Sequence, residues 1–154
     1  MRRWIAVALI GGALGFVGAA AAAAPSHHAW GMGLFALGGG STETAGIVRD
    51  APRYGGLTFG PICCEVTVSF ERVFNADVMR GAVSGTLGVS GNAEETTWRG
   101  TLHGRLTPGG MNGHLVVVEE GTGRRFVGTW STQGHPDQGF PHFLGLDVDG
   151  DLHD

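Results

Sequence analysis

The residues whose types and spacing best suit chemistry stand at the end of the chain, in Asp147-Val148-Asp149-Gly150-Asp151-Leu152-His153-Asp154. Alternate carboxylates around a glycine suit a hard cation. Calcium takes about six to eight oxygen ligands, and glycine lets the ligating loop turn sharply. Asp147, Asp149, Asp151 and Asp154 are therefore the candidate metal ligands, and Ca²⁺ the candidate cofactor. The competing reading is a solvated acidic tail that discourages pairing along a sheet edge. A second cluster is His135, Asp137 and His142, with His153 further on. These are Zn²⁺ or Cu²⁺ donor types, but their spacing fits no standard zinc motif and reads better as scattered loop histidines. A third is the alternation Arg99, His103, Arg105 with Thr97 and Thr101 between and beside them. In a strand these five share one face, a row able to grip an anionic ligand, although most such rows are simply wetted surface.

Signatures of catalysis are missing. Ser84 lacks the glycine two residues before it that a nucleophile elbow needs. Glu119 and Glu120 are neighbours, so in a strand they face apart and make a poor acid–base couple. No phosphate loop or dinucleotide fingerprint is present. The aspartate segment resembles D-x-D-G-D calcium loops of integrin-like propeller repeats over eight residues. It departs from them in lacking the glycine after the third aspartate. Gly128-Thr129-Trp130 is similar to the Gly-x-Trp signature of lipocalins and avidin-like barrels. Those families carry it on the first strand and this chain carries it late, so no family is assigned.

The elements that must hold these groups read as strands. Ile62, Cys64, Val66, Val68, Phe70 and Phe74 take one parity, and Glu65, Thr67, Ser69 and Glu71 the other, which predicts a long half-buried strand. Ala82–Ser90 alternates likewise. Thr96–Thr107 places Trp98, Leu102 and Leu106 opposite the Arg99 row. His114–Glu119 is apolar on both faces, predicting a central or covered strand. Arg125–Thr132 sends Phe126 and Trp130 inward, and Phe143, Leu144, Leu146 and Val148 suit a closing strand. Gly91-Asn92-Ala93-Glu94, Pro108-Gly109-Gly110 and Gly121-Thr122-Gly123 supply the turns. Gly85, Gly100, Gly104 and Gly128 share the parity of the large apolar residues. Glycine facing inward lets strands coil tightly, or leaves a cavity beside Trp98 and Trp130; packing is the simpler use. The expected fold is all-β, a small antiparallel meander closing into a barrel or folding as a sandwich.

Arg2 and Arg3, the apolar run Trp4–Val17 and the alanines 19–24 form the three regions of a cleavable signal peptide, residues 1–23. The apolar run is short of a membrane span, so no permanent span is expected after cleavage. Residues 24–61 form a Gly-rich segment with short strands such as Gly46–Arg49 and Leu57–Phe59. Residues 62–154 carry the core of the same single domain. Cleavage after Ala23 places Pro25 second and His27 fourth, which removes an amide that a terminal Cu(II) site would use. His27 and His28 then read as exposed groups on a loose terminus. Secreted or periplasmic placement would permit disulfides, yet Cys63 and Cys64 are adjacent and point apart. Cys64 reads as a buried thiol and Cys63 as a candidate link to a second chain.

The 154-residue chain holds 29 glycines, no lysine and a formal charge of −4. It has no basic stripe, which excludes nucleic acid as the expected partner. The expected function is non-enzymatic binding of a small ligand or a partner surface, with Trp98, Trp130, Arg99, His103 and Arg105 as candidate binding residues. One alternative is a small barrel enzyme (cyclase, isomerase or hydrolase) with its site in the barrel mouth. Another is a calcium-stabilised structural or adhesion module.

Overall fold

A computed structural model describes residues 23–60, 65–91, 96–133 and 143–154. Within them every regular element is a strand: β1 Ser26–Gly38, β2 Ser41–Thr44, β3 Ile47–Asp50, β4 Arg53–Phe59, β5 Glu65–Asn75, β6 Arg80–Ser90, β7 Thr97–Thr107, β8 Gly110–Glu119, β9 Arg125–Gln133 and β10 Phe143–His153. Eight of them, β1 and β4–β10, pair antiparallel with their neighbours in chain order, and β10 closes the ring on β1. The result is a meander barrel; the sandwich alternative is set aside. Closure gives each barrel strand two partners, which removes the exposed edges of an open sheet. The proposed signal segment up to residue 22, Cys63, Cys64, His135, Asp137 and His142 lie outside the described residues.

The alternation read from the sequence sets which side chains enter the barrel. Val66, Val68 and Phe70 of β5, Trp98, Leu102 and Leu106 of β7, and Phe126 and Trp130 of β9 are all buried inside. Phe70 packs its ring against Trp130, with centroids 5.8 Å apart, and Tyr54 meets Phe70 edge-on at 6.0 Å. Edge contacts of this kind contribute beyond simple burial.

The inward glycines curve the wall. A side chain on Gly104 would place its Cβ 2.1 Å from the Asn112 carbonyl oxygen, and one on Gly113 would sit 1.9 Å from that of His103. These two glycines face each other across β7 and β8. Such spacing is possible only without Cβ atoms, so tight coiling depends on this pair.

Two expectations change. The segment 24–61 holds the short strands expected near Gly46–Arg49 and Leu57–Phe59, as β3 and within β4, and it also supplies two complete barrel strands, β1 and β4. In β1 the buried Trp30, Met32 and Leu34 alternate with Ala29, Gly31 and Gly33. The outward residues are small, not polar, which hides the period-two contrast. In β4 the pattern is inverted, with Leu57 and Phe59 outward and Thr58 buried. His27 and His28 are therefore held in β1, opposite Asp151 and Gly150, instead of on a loose terminus. Strand β8 is central as expected, paired with β7 and β9, and its outer face is open, with Val116 and Val118 each 39% exposed.

One charged side chain takes an inward place on β5. Arg72 is buried, and its Nε donates to Asp50 Oδ1 at 2.7 Å while Nη2 donates to Oδ2. Asp50 ends β3, directly opposite Arg72 in the register. This bidentate pair fastens the β2–β3 hairpin to the barrel end. Nearby charge and burial act together on Tyr54: burial raises its phenol pKa, Arg72 opposes that rise and Asp50 adds to it.

Two stability outcomes follow. Asp50→Ala strands the Arg72 guanidinium inside and lowers unfolding free energy by about 3–5 kcal/mol in urea titration. Gly104→Ala forces strands β7 and β8 apart and costs about 1–3 kcal/mol in the same measurement. An unchanged urea midpoint for either variant contradicts its assigned role.

Candidate outer-wall binding groove

Large side chains fill the barrel, and a concave surface that carries chemistry lies outside it, across β7, β8, β9, β10 and β1. Each strand contributes its outward residues, and the register aligns them. One row across the sheet runs Arg105–Asn112–Ser131–Asp147–Gly31. The next outward row runs His103–His114–Thr129–Asp149–Ala29. Between them the inward row Gly104–Gly113–Trp130–Val148–Trp30 turns its backbone to the outside as a floor. The glycine pair that curves the wall thus also lowers that floor. The groove encloses about 830 Å³, and all the outward members of both rows except His103 and Gly31 line it.

The arrangement is polar with a sign at each end. Arg105, with the His114 imidazole beside it, puts a positive charge on the β7–β8 side. Asp147 and Asp149 make the β10 side acidic. The Asn112 amide and the Ser131 and Thr129 hydroxyls lie between and can both donate and accept. Three strand spacings separate β7 from β10, so the two poles stand about 14 Å apart. Thr129 Oγ1 donates to the Asp149 carbonyl at 3.4 Å, and the Trp130 indole nitrogen donates to the His114 carbonyl at 3.1 Å. These bonds fix the strand positions beneath the groove.

The structure joins residues that the sequence placed in two separate candidates. Arg105 came from the anion-gripping row and Asp147 and Asp149 from the calcium set, yet they line one groove. Arg99 sits apart, paired with Glu120 at 2.5 Å and lining a second, hydroxyl-rich depression of about 590 Å³ over β5–β7. Trp98 and Trp130 are buried in the core, and Arg124 lies 5.9 Å from the Trp98 ring centre. Asn112, His114, Thr129 and Ser131 were not singled out from the sequence. Alternation assigns each to an outer face, but only the strand register brings the four together.

The aspartates do not form a loop. Asp147, Asp149 and Asp151 alternate along the outer face of β10, and Gly150 faces inward within the strand. Same-face positions are separated by about 7 Å, so consecutive carboxylates straddle an ion instead of encircling it. Among the described residues no group of three or more His, Cys, Asp or Glu side chains is arranged to hold a metal. Asp154 instead accepts a hydrogen bond from Arg124 Nε at 2.9 Å. His27 lies between two of the carboxylates, with Nδ1 3.1 Å from Asp151 and Nε2 3.4 Å from Asp149. The hydrogen bond to Asp151, followed by the field of Asp149, raises the His27 pKa above 6.5.

Comparison with known families, curated proteins and solved structures finds no match to this chain.

The raised His27 pKa sets a pH dependence. The imidazolium is favoured in the folded protein, so its contribution is complete below about pH 6 and fades as pH rises through the folded pKa. The melting-temperature gap between the protein and His27→Gln should therefore be widest near pH 6 and narrow as pH rises through the folded pKa. A gap that widens with pH in thermal scans would show that the neutral imidazole is the stabilising form.

Proposed function

We propose that this chain is an exported, non-enzymatic β-barrel whose outer groove binds an extended polypeptide segment of a partner. The observation that carries the reading is the pair of aligned rows, basic at β7–β8 and acidic at β10, over a floor of exposed backbone. An extended peptide advances about 3.4 Å per residue and sends every second side chain to the same side. Residues i and i+4 of such a segment share a face and span about 14 Å, matching the separation of the poles. An acidic residue would meet Arg105 and His114. A basic residue four positions away would meet Asp147 and Asp149. The central amide and hydroxyls would serve the residue between them.

The filled interior favours a surface over an internal small-molecule site. Trp98 and Trp130, which would have lined such a cavity, pack against neighbours. The enzyme alternative needs polar groups free to act inside the barrel. The charged groups there are engaged, Arg72 by Asp50 and Glu119 by Thr122 and Arg124, while the buried Tyr54 hydroxyl and Trp30 indole N–H have no partner and offer no acid–base couple between them. The calcium-module alternative loses its loop to β10. Export rests on the charged, apolar and small-residue order of residues 1–24. On β6 and β7 the inside-apolar, outside-polar alternation is the reverse of a membrane-spanning barrel, whose lipid face is apolar, and supports a protein that works in an aqueous compartment.

The test is amide chemical-shift mapping with a capped five-residue peptide carrying glutamate first, arginine last and serine or glycine between. Shifts should concentrate on β7–β10 around the groove. Arg105→Glu, and separately Asp147→Ala with Asp149→Ala, should each weaken the titration at least tenfold. A peptide with two glutamates at those positions should bind much more weakly. Equal binding of both peptides, or shifts confined to other strands, overturns the proposal.

A further inference from the structure

Beside the groove, further along the β1–β10 seam and across to β4, the outer wall changes character. Phe35 and Leu37 of β1, Leu57 and Phe59 of β4, and Phe143 of β10 all point outward and are between 54% and 68% exposed. They form one patch. Phe35 and Phe143 are direct partners across the seam, with ring centres 5.6 Å apart and planes at 72°. Phe143 and Phe59 reach over Gly33 from opposite sides, within 3.6 and 3.8 Å of where its Cβ would be. Leu37 covers Gly55 in the same way, at 3.0 Å. The glycines allow the rings to lie along the sheet, which makes a broad, low apolar surface instead of isolated projecting side chains.

We infer that this face joins two copies of the chain in a two-fold dimer. Five large side chains at this exposure present on the order of 500 Å² of apolar surface. A standard interface buries about 800 Å² per partner, and a homodimer interface is about 65% apolar. The patch therefore supplies about the apolar share that one half of a stable homodimer requires. The flanking charges fit the same symmetry. Arg53 is outward at one end, opposite Gly38 of β1, and Asp147 is outward at the other, opposite Gly31. A two-fold axis lying along the contact plane and crossing the patch near Phe35 exchanges these ends. Each Arg53 then meets Asp147 of the second copy, while apolar side chains cover one another between them. A lipid surface is the weaker occupant: the chain carries a net charge of −4, and anionic headgroups repel it.

Sedimentation equilibrium tests the assignment. The protein should dimerise with a micromolar or tighter constant. Phe35→Asp with Phe59→Asp should weaken the dimer at least a hundredfold while leaving the far-ultraviolet circular dichroism unchanged, because both side chains already face water. Should that pair fail to fold, Leu37→Asp alone carries the same expectation at tenfold. Arg53→Asp and Asp147→Arg should each weaken the dimer severalfold, and the two together should restore it. A protein that stays monomeric to about 100 µM, well above the range of a standard interface, overturns the inference. A dimer indifferent to the phenylalanine changes, or single reversals that the double reversal does not rescue, also overturns it. A monomer that floats with phosphatidylethanolamine–phosphatidylglycerol vesicles, and loses that property with Phe35→Asp and Phe59→Asp, overturns it in favour of a lipid surface.

Discussion

The constraint on which this structure depends is closure of a short sheet around very large side chains. Eight strands must bend into a ring while Trp30, Trp98, Trp130, Tyr54, Phe70 and Phe126 occupy the inside. A barrel of this strand number has an interior only wide enough for side chains to fill. The wall must therefore approach its contents closely in some places and stand back in others. Inward glycines provide the close places. Where Gly104 faces Gly113, and where Gly128 faces Gly150, the backbones of adjoining strands come nearer than any Cβ would permit. The tryptophans then lie beside the glycines in the same layers, as Trp130 does next to Gly113. Glycine content is thus a packing device here, and the interior it helps to close is filled.

How much of this is written in the sequence depends on contrast between faces. Strands β5, β6, β7 and β9 alternate large apolar with polar residues, so their inward sets can be read directly from period two. Strand β1 could not be read this way, because Gly31 and Gly33 face out where polar residues would have marked the surface. Strand β4 inverts the usual signs, and that inversion is itself the aromatic patch: Leu57 and Phe59 look like core residues in a linear reading. Arg72 was legible as an inward position between Phe70 and Phe74. Its neutraliser was not, because Asp50 comes from a hairpin over 20 residues earlier.

The groove was legible in fragments only. Alternation gives each strand an outer face but says nothing of how one strand slides against the next. A shift of one residue between β8 and β9 would replace Ser131 and Thr129 with inward residues, and a shift of two would move Asn112 opposite Thr129. Turn geometry and the fit of the core choose the register, and both are properties of the assembled barrel. For the same reason the aspartates read as a loop. Aspartates flanking a glycine fit a turn on local grounds, whereas Gly150 is held in β10 by its approach to Gly128.

The two outer surfaces are not independent, because β1 and β10 belong to both. Asp147 closes the acidic end of the groove and also stands at the margin of the aromatic patch, on the row that continues through Gly31 to Phe59. A dimer formed through the patch would bring a positive Arg53 near that carboxylate and reduce the charge it offers to a bound basic residue. Asp149, one outward position along and flanked by His27, would keep its place. Opposite charges near a carboxylate compete for it, so occupancy of one surface should weaken the electrostatic part of binding at the other. The seam that closes the barrel is thereby also the place where the two proposed interfaces are coupled, through a side chain they share and not through any change of fold.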